Sequence, residues 1–276
     1  MKLLPSTILD MESISEKEIF NRSRLLLGDM KMRRIEDVRV IIFGVGGVGS
    51  WCAESLIRSG VRMLTIVDSD RVSVSNINRQ LMATVATVGK VKVEALKDHL
   101  LKINPYADIQ THQEIYSVET ADSFCLDEYD YIVDAIDSLK NKVLLIERAT
   151  ASKAKLFSSM GAALKMDPTR IKVAEFWNVK GCPLARALRQ RFKKIRRFPK
   201  KKFQCVYSDE LLPNLGNTSN APTTSEISNP SDYNSVNIVG QNTWDATKAQ
   251  INGSLHHITS IFGITIAGLI IKDITK

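Results

Sequence analysis

The segment IIFGVGGVGSWCAESLIRSG, residues 41–60, restricts the fold more than any other part of the chain. An apolar run over 40–43 leads straight into Gly44, Gly46, Gly47 and Gly49, and a helical pattern follows over 48–59. A strand that turns into a helix through G-x-G-x-x-G lets backbone N–H groups and the positive end of the helix approach a phosphate. Gly47 adds a further permissive position. Asp68 stands at the end of the next apolar strand, where a carboxylate accepts hydrogen bonds from ribose hydroxyls. At this point a nicotinamide dinucleotide and ATP fit equally well.

Strands and helices alternate beyond the turn. Strand patterns at 38–43, 63–67, 131–135 and 155–160 are interleaved with helical patterns at 48–59, 90–103 and 140–154. That order predicts an α/β fold, a doubly wound, Rossmann-like, mainly parallel sheet. A polar-capped helix at 15–32, with Ile19, Leu25 and Leu26 on its apolar face, precedes it. RIKVAEFW, 170–177, alternates as an antiparallel extension of the sheet. Residues 15–165 form the nucleotide-binding core of a single domain, and 166–212 form a basic extension. Residues 213–250 read as a flexible low-complexity insertion, and 251–276 as a strand or helix returning to the core.

Charge and cysteines limit the partners. The net charge of +8 is concentrated: 186–202 holds ten Lys or Arg and no acid, the footprint of a polyanion. In contrast, 214–235 holds thirteen Ser, Thr or Asn in twenty-two positions, too polar to order itself. Cys52, Cys125, Cys182 and Cys205 show no C-x2-C pair, so no zinc is expected. With no secretory leader legible, the expected setting is cytoplasmic, with free and inert thiols. The apolar run 258–271 is shorter than the roughly 18–20 residues of a membrane span and reads as a core helix, with membrane attachment the lesser alternative.

Residues after the turn separate the two nucleotides. DSDRVSVSNINRQL, 68–81, brings Asp70, Asn76, Arg79 and Gln80, and VGKVKVEAL brings Lys92. Cleaving a phosphate bond needs cations aimed at the leaving pyrophosphate, and Arg79 and Lys92 suit that task. Asp137, in DAIDS, suits Mg2+ held against a triphosphate, with Asp134 left to a structural role. Asp70 divides evenly between a turn cap and a nucleotide contact.

GVGGVGSW, the D-x-D of Asp68 and Asp70, NINRQ, KVE and DAIDS together resemble the ubiquitin-activating-enzyme-like adenylating superfamily. Within it SWCAESLIRSG, DPTRIKV, CPLARALRQRFKK and FQCVYSDELL are similar to the tRNA threonylcarbamoyladenosine dehydratases. The resemblance implies that Asp68 holds the ribose, that Asn76, Arg79 and Lys92 contact phosphates, and that Asp137 binds metal. It implies that Arg22, in FNRSR, reaches the ATP of a neighbouring subunit in a homodimer. It further implies a tRNA substrate, a monovalent cation and, in relatives, a cysteine-desulfurase or sulfur-acceptor system. The activity implied is ATP-dependent cyclisation of threonylcarbamoyladenosine beside the anticodon. The threonyl carboxylate is adenylated, an atom of the same ureido group attacks it, and water is lost overall. Rival readings are adenylation of a sulfur-carrier or ubiquitin-like C-terminus, a nicotinamide oxidoreductase, and a nucleotide-gated RNA-binding protein.

Overall fold

The computed structural model describes residues 14–216 and 252–276. Seven strands form one sheet in the order β3-β2-β1-β4-β5-β7-β6. They are β1 (Arg39–Phe43), β2 (Met63–Val67), β3 (Asp108–His112), β4 (Tyr131–Asp134), β5 (Lys155–Ser159), β6 (Ile171–Glu175) and β7 (Gln204–Ser208). All pairings are parallel except β6 with β7, the antiparallel edge expected from RIKVAEFW.

The continuous apolar runs follow from burial on both faces. In β1, Val40 and Ile42 join one core cluster while Ile41 and Phe43 join the other. Neighbouring side chains in a strand point to opposite faces, so a strand covered on both sides has no polar positions to spare. α4 (Gly49–Arg58), α5 (Lys92–Leu101) and α8 (His256–Ile274) supply buried residues to the first cluster. α6 (Leu139–Ala151) and α7 (Pro183–Ile195) supply the second.

The N-terminal region differs from expectation. In place of one helix over 15–32 there are α1 (Glu16–Ile19), α2 (Asn21–Leu27) and α3 (Asp29–Asp37). Phe20 breaks the first junction by dropping into the core. Gly28, with φ of +78°, breaks the second. Phe20, Met32 and Ile35 face inward, whereas Leu25 and Leu26 are 80% and 83% exposed, so the anticipated apolar face is wrong for both leucines. β3 and β7 were not anticipated as strands. The insertion expected at 213–250 lies almost wholly outside the described residues.

Residues 252–276 contain a helix and no strand. α8 passes the length and composition of a membrane span, yet half of its most apolar window is buried. Ile258, Phe262, Ile266 and Ile270 form its inward stripe. A Cβ on Gly263 would stand 2.3 Å from the Val48 carbonyl oxygen, so the α4 and α8 backbones touch there. Its far end is pinned by Asp273, which accepts from the Tyr131 hydroxyl at 2.9 Å and from Lys155 and Lys276. Burial opposes ionisation of Asp273, but those donors outweigh it and hold the carboxyl at about 2.

Candidate nucleotide site and its surroundings

β1 and β4 are adjacent, and the chain leaves β1 toward β2 on one side and β4 toward β5 on the other, so the switch in strand order lies between β1 and β4. Such a crevice, outside the carboxyl ends of the strands, is where open α/β sheets bind ligands. The glycine turn lies there, and its spacing is sterically required. A Cβ on Gly49 would stand 1.9 Å from the Gly44 carbonyl oxygen, and one on Gly44 (φ of +85°) would stand 2.7 Å from that of Ala135. α4 begins at Gly49 with no side-chain cap, which leaves its amino end open to an anion.

Asp68 is built into the turn. Its Oδ2 accepts from the Val45 N–H at 2.8 Å and its Oδ1 from the Asp70 N–H at 3.0 Å. A carboxylate has about four lone-pair sites, so capacity remains for a ribose. Lys92 opens α5 and is buried rather than solvated, with Nζ 2.8 Å from Asp70 Oδ2 and 3.9 Å from Asp68 Oδ1. The exposed Asp70 therefore holds the lysine toward Asp68.

The Arg79 side chain packs against the turn, its Cγ 3.3 Å from where a Cβ on Gly47 would stand. Nη1 donates to the Ser75 carbonyl at 2.8 Å and to Asn78 Oδ1 at 2.9 Å. The loop carrying it is clamped twice: Trp51 Nε1 donates to the Arg79 carbonyl at 2.9 Å, and Asn78 Nδ2 to that of Ser254 at 3.0 Å. His256 lies against the Trp51 ring, with centroids 4.8 Å apart. Asn76 is buried and its Oδ1 accepts from the Ser73 N–H at 3.0 Å, so its carboxamide oxygen shapes the loop. Gln80, given no role from sequence, is buried beside Gly46 with Oε1 unpartnered among the described residues. An orphaned buried acceptor at the mouth of a phosphate turn fits a ligand donor or a water.

Asp134 and Asp137 differ in their surroundings. Asp134 is fully buried, 2.9 Å from Lys142 Nζ, and accepts from the Ser158 hydroxyl at 2.7 Å. Lys142 also donates to the Ile136 carbonyl at 3.1 Å, so the pair anchors the loop packed on Gly44. Asp137, on that loop, is exposed and makes no hydrogen bond or ion pair among the described residues. Its oxygens are open to a metal.

The turn glycines, Asp68, Asp70, Asn76, Arg79, Lys92 and Asp137 thus lie around the carboxyl ends of β1, β2 and β4. Arg22 does not join them. It follows Phe20, which packs by Gly60 beyond the far end of α4, about 15 Å along the helix from the turn.

A second polar cluster occupies the same end of the sheet, beyond β5 and β7. Buried Lys165 donates to the Glu210 carbonyl, and the Glu210 carboxylate accepts from the Met166 and Asp167 N–H groups at 2.8 and 2.9 Å. Burial lowers the Lys165 pKa. Cys182, the N-cap of α7, is buried nearby. Burial pushes the Cys52 and Cys205 thiols up, which makes both poor nucleophiles. The basic tract forms the outer face of α7 and the following loop. Arg186, Arg191, Lys193, Lys194 and Arg196 point outward with no side-chain partner among the described residues, while Phe192 is fully buried.

A doubly wound sheet with a glycine turn at its switch point has the architecture of a Rossmann-like nucleotide-binding protein. Comparison with known proteins narrows it: the chain belongs to the ThiF family, whose model matches residues 20–276. It is 38% identical to the tRNA threonylcarbamoyladenosine dehydratase of Bacillus subtilis over 69% of this chain and 74% of that protein. It is 39% identical to tRNA threonylcarbamoyladenosine dehydratase 2 of Saccharomyces cerevisiae over 61% of this chain and 38% of that longer protein. The crystal structure of the E. coli tRNA N6-threonylcarbamoyladenosine dehydratase in complex with ATP matches with a TM-score of 0.77 at 28% identity, covering 95% of this chain and 96% of that one.

Proposed function

We propose that this protein uses ATP to dehydrate N6-threonylcarbamoyladenosine in tRNA, by adenylating the threonyl carboxylate and letting the ring close on it. One observation supports the reading: the Arg79 side chain packs against Gly47 of the glycine turn and Lys92 Nζ stands 3.9 Å from Asp68, so two cations are within reach of a phosphate bound at that turn. A redox dinucleotide leaves them without a task.

The residues fit ATP. The turn is closed by backbone at Gly44 and Gly49, where a Cβ would clash, Asp68 keeps acceptor capacity for the ribose, and Gln80 Oε1, without a partner among the described residues, can accept from a hydroxyl or amino group of the nucleotide. Asp137, without a hydrogen bond or ion pair among the described residues, would hold Mg2+ together with phosphate oxygens, and the ion would offset charge on them. Arg79 stabilises the charge that develops on the departing pyrophosphate. Lys92 does so once it turns from Asp70. Ring closure is intramolecular, so geometry replaces a protein nucleophile and no cysteine is required.

Exposed Leu25, Leu26 and Met30 close to Arg22 support a homodimer in which Arg22 completes the partner's site. Mixed dimers of R22A and R79A subunits then regain up to one working site, although each homodimer is inactive. Activity no greater than the sum of the homodimers contradicts that arrangement. The outer face of α7 would contact tRNA phosphates, and the half-buried α8 suits a soluble cytoplasmic protein.

The test is AMP and pyrophosphate release from ATP and Mg2+ with threonylcarbamoyladenosine-bearing tRNA. Release with that tRNA, and not with unmodified tRNA or a sulfur-carrier protein, is expected. Stimulation by the carrier alone would favour adenylation of a protein C-terminus.

A further inference from the structure

Trp177 and Phe198 are large aromatic side chains left 40% and 47% exposed beside the most basic segment of the molecule. Their ring centroids are 6.2 Å apart with planes inclined at 46°. Neither position is loosely held. Phe176, immediately before Trp177, is fully buried, stacked on Phe203 at 5.0 Å, and its carbonyl accepts from Arg189 Nη1 at 3.0 Å. The Trp177 N–H donates to Glu175 Oε2 at 3.0 Å. The core therefore fixes the backbone while the indole faces outward. Phe198 follows the α7 terminus at Arg196, whose φ of +54° turns the chain sharply.

Topology sets this pair apart from the nucleotide turn. β6 is antiparallel, so Glu175 and Trp177 lie at the amino ends of the parallel strands, opposite the glycine turn. α7 starts beside Asp209 at the carboxyl end of β7 and runs its 13 residues, about 20 Å, toward Trp177. Arg186 near its start and Arg191, Lys193, Lys194 and Arg196 toward its end, without side-chain partners among the described residues, make its outer face cationic and most strongly so near the aromatic pair.

We propose that Trp177 and Phe198 form a stacking platform for an unpaired base of the substrate tRNA, reached along the cationic face of α7. The inference rests on the tRNA reading above and adds a second recognition point. Single-stranded RNA segments are recognised by stacking unpaired bases on aromatic side chains next to a basic groove, which is the combination found here. Phosphate contacts supply affinity without base information, whereas a stacked base requires a loop or an end. The platform thus selects tRNA that presents an unpaired base to the far end of α7, about 20 Å along that helix from its start.

The experiment measures modified-tRNA binding and turnover by the full chain carrying W177A, W177F or F198A, alongside K193Q/K194Q. Stacking is worth enough that W177A should weaken tRNA binding about 5- to 100-fold, while W177F retains most of the affinity. The KM for ATP and the slope of affinity against salt stay at wild-type values in W177A, whereas K193Q/K194Q lowers that slope by about 1.5. The quenching of tryptophan emission on adding tRNA should shrink in W177F. Wild-type tRNA affinity in W177A with its melting temperature unchanged overturns the platform and leaves the dehydratase reading intact. A change of oligomeric state in W177A, without weaker tRNA binding, assigns the pair to a protein interface and also overturns it. No binding of modified tRNA by the wild-type protein would instead sink the tRNA reading itself.

Discussion

The nucleotide half of the sheet and its β5–β7–β6 edge solve recognition in opposite ways. Around β1, β2 and β4, backbone atoms pass so close that a side chain at Gly49 has nowhere to go. At the edge, the proposed recognition would rest instead on outward cations and the exposed rings of Trp177 and Phe198. A small polyphosphate is grasped by backbone and needs fixed spacing. A large polyanion is met by a surface and needs charge and reach.

Glycine substitutions give the largest contrast between the halves. G49A should lose nucleotide binding by more than about 10²-fold, because the turn cannot close around the phosphates. G161A, at the end of β5, meets nothing closer than 3.8 Å and should melt like wild type. Calorimetric ATP titration and thermal melts read both, and tolerance of G49A would break the comparison.

Lys142→Met should be nearly as severe in stability. It leaves Asp134 fully buried without its cation, which costs about 3–5 kcal/mol. Urea unfolding measures it, and a loss below about 1 kcal/mol would mean that the pair does not anchor the loop on Gly44.

Arg79→Ala sharpens the comparison in the chemical step. With ATP saturating, kcat should fall about 10²- to 10³-fold while the fold and tRNA affinity hold. Loss of tRNA affinity instead would shift Arg79 to the edge's kind of work.

The smallest effect concerns acid stability. Asp273 has a folded-state pKa depressed to about 2 from 3.8, so its contribution is present above pH 3.8 and disappears as pH falls toward 2. D273N should lower the melting temperature slightly at neutral pH, with the gap to wild type closing across that window. A gap that persists at pH 2 would show that packing, not charge, pins α8.

Sequence revealed the nucleotide half well because each of its constraints has a spacing. Gly44, Gly46 and Gly49, the later Asp68, and the order of strands and helices leave few alternatives. Other features were hidden because their causes are tertiary. The break at Phe20 depends on a pocket at Gly60. β3, with polar Gln110, Thr111 and His112, lacks the apolar run of a central strand because it lies at the sheet edge. The clamp of Trp51 on the Arg79 carbonyl joins positions 28 residues apart, and no motif encodes it. Trp177 went unnoticed because exposure, not residue type, separates a platform from a core aromatic. Gln80 was visible in NINRQ, but its buried, unpartnered oxygen was not.

The central claim is that ATP bound at the glycine turn activates a carboxylate on tRNA, with Arg79 and Lys92 offsetting the charge of the departing pyrophosphate. The most direct test incubates the protein with ATP, Mg2+ and threonylcarbamoyladenosine-bearing tRNA, digests the tRNA and weighs its nucleosides. The account predicts a modified adenosine lighter by one water, formed only with ATP and strongly reduced in R79A. An unchanged nucleoside, under conditions where ATP is bound, would contradict it.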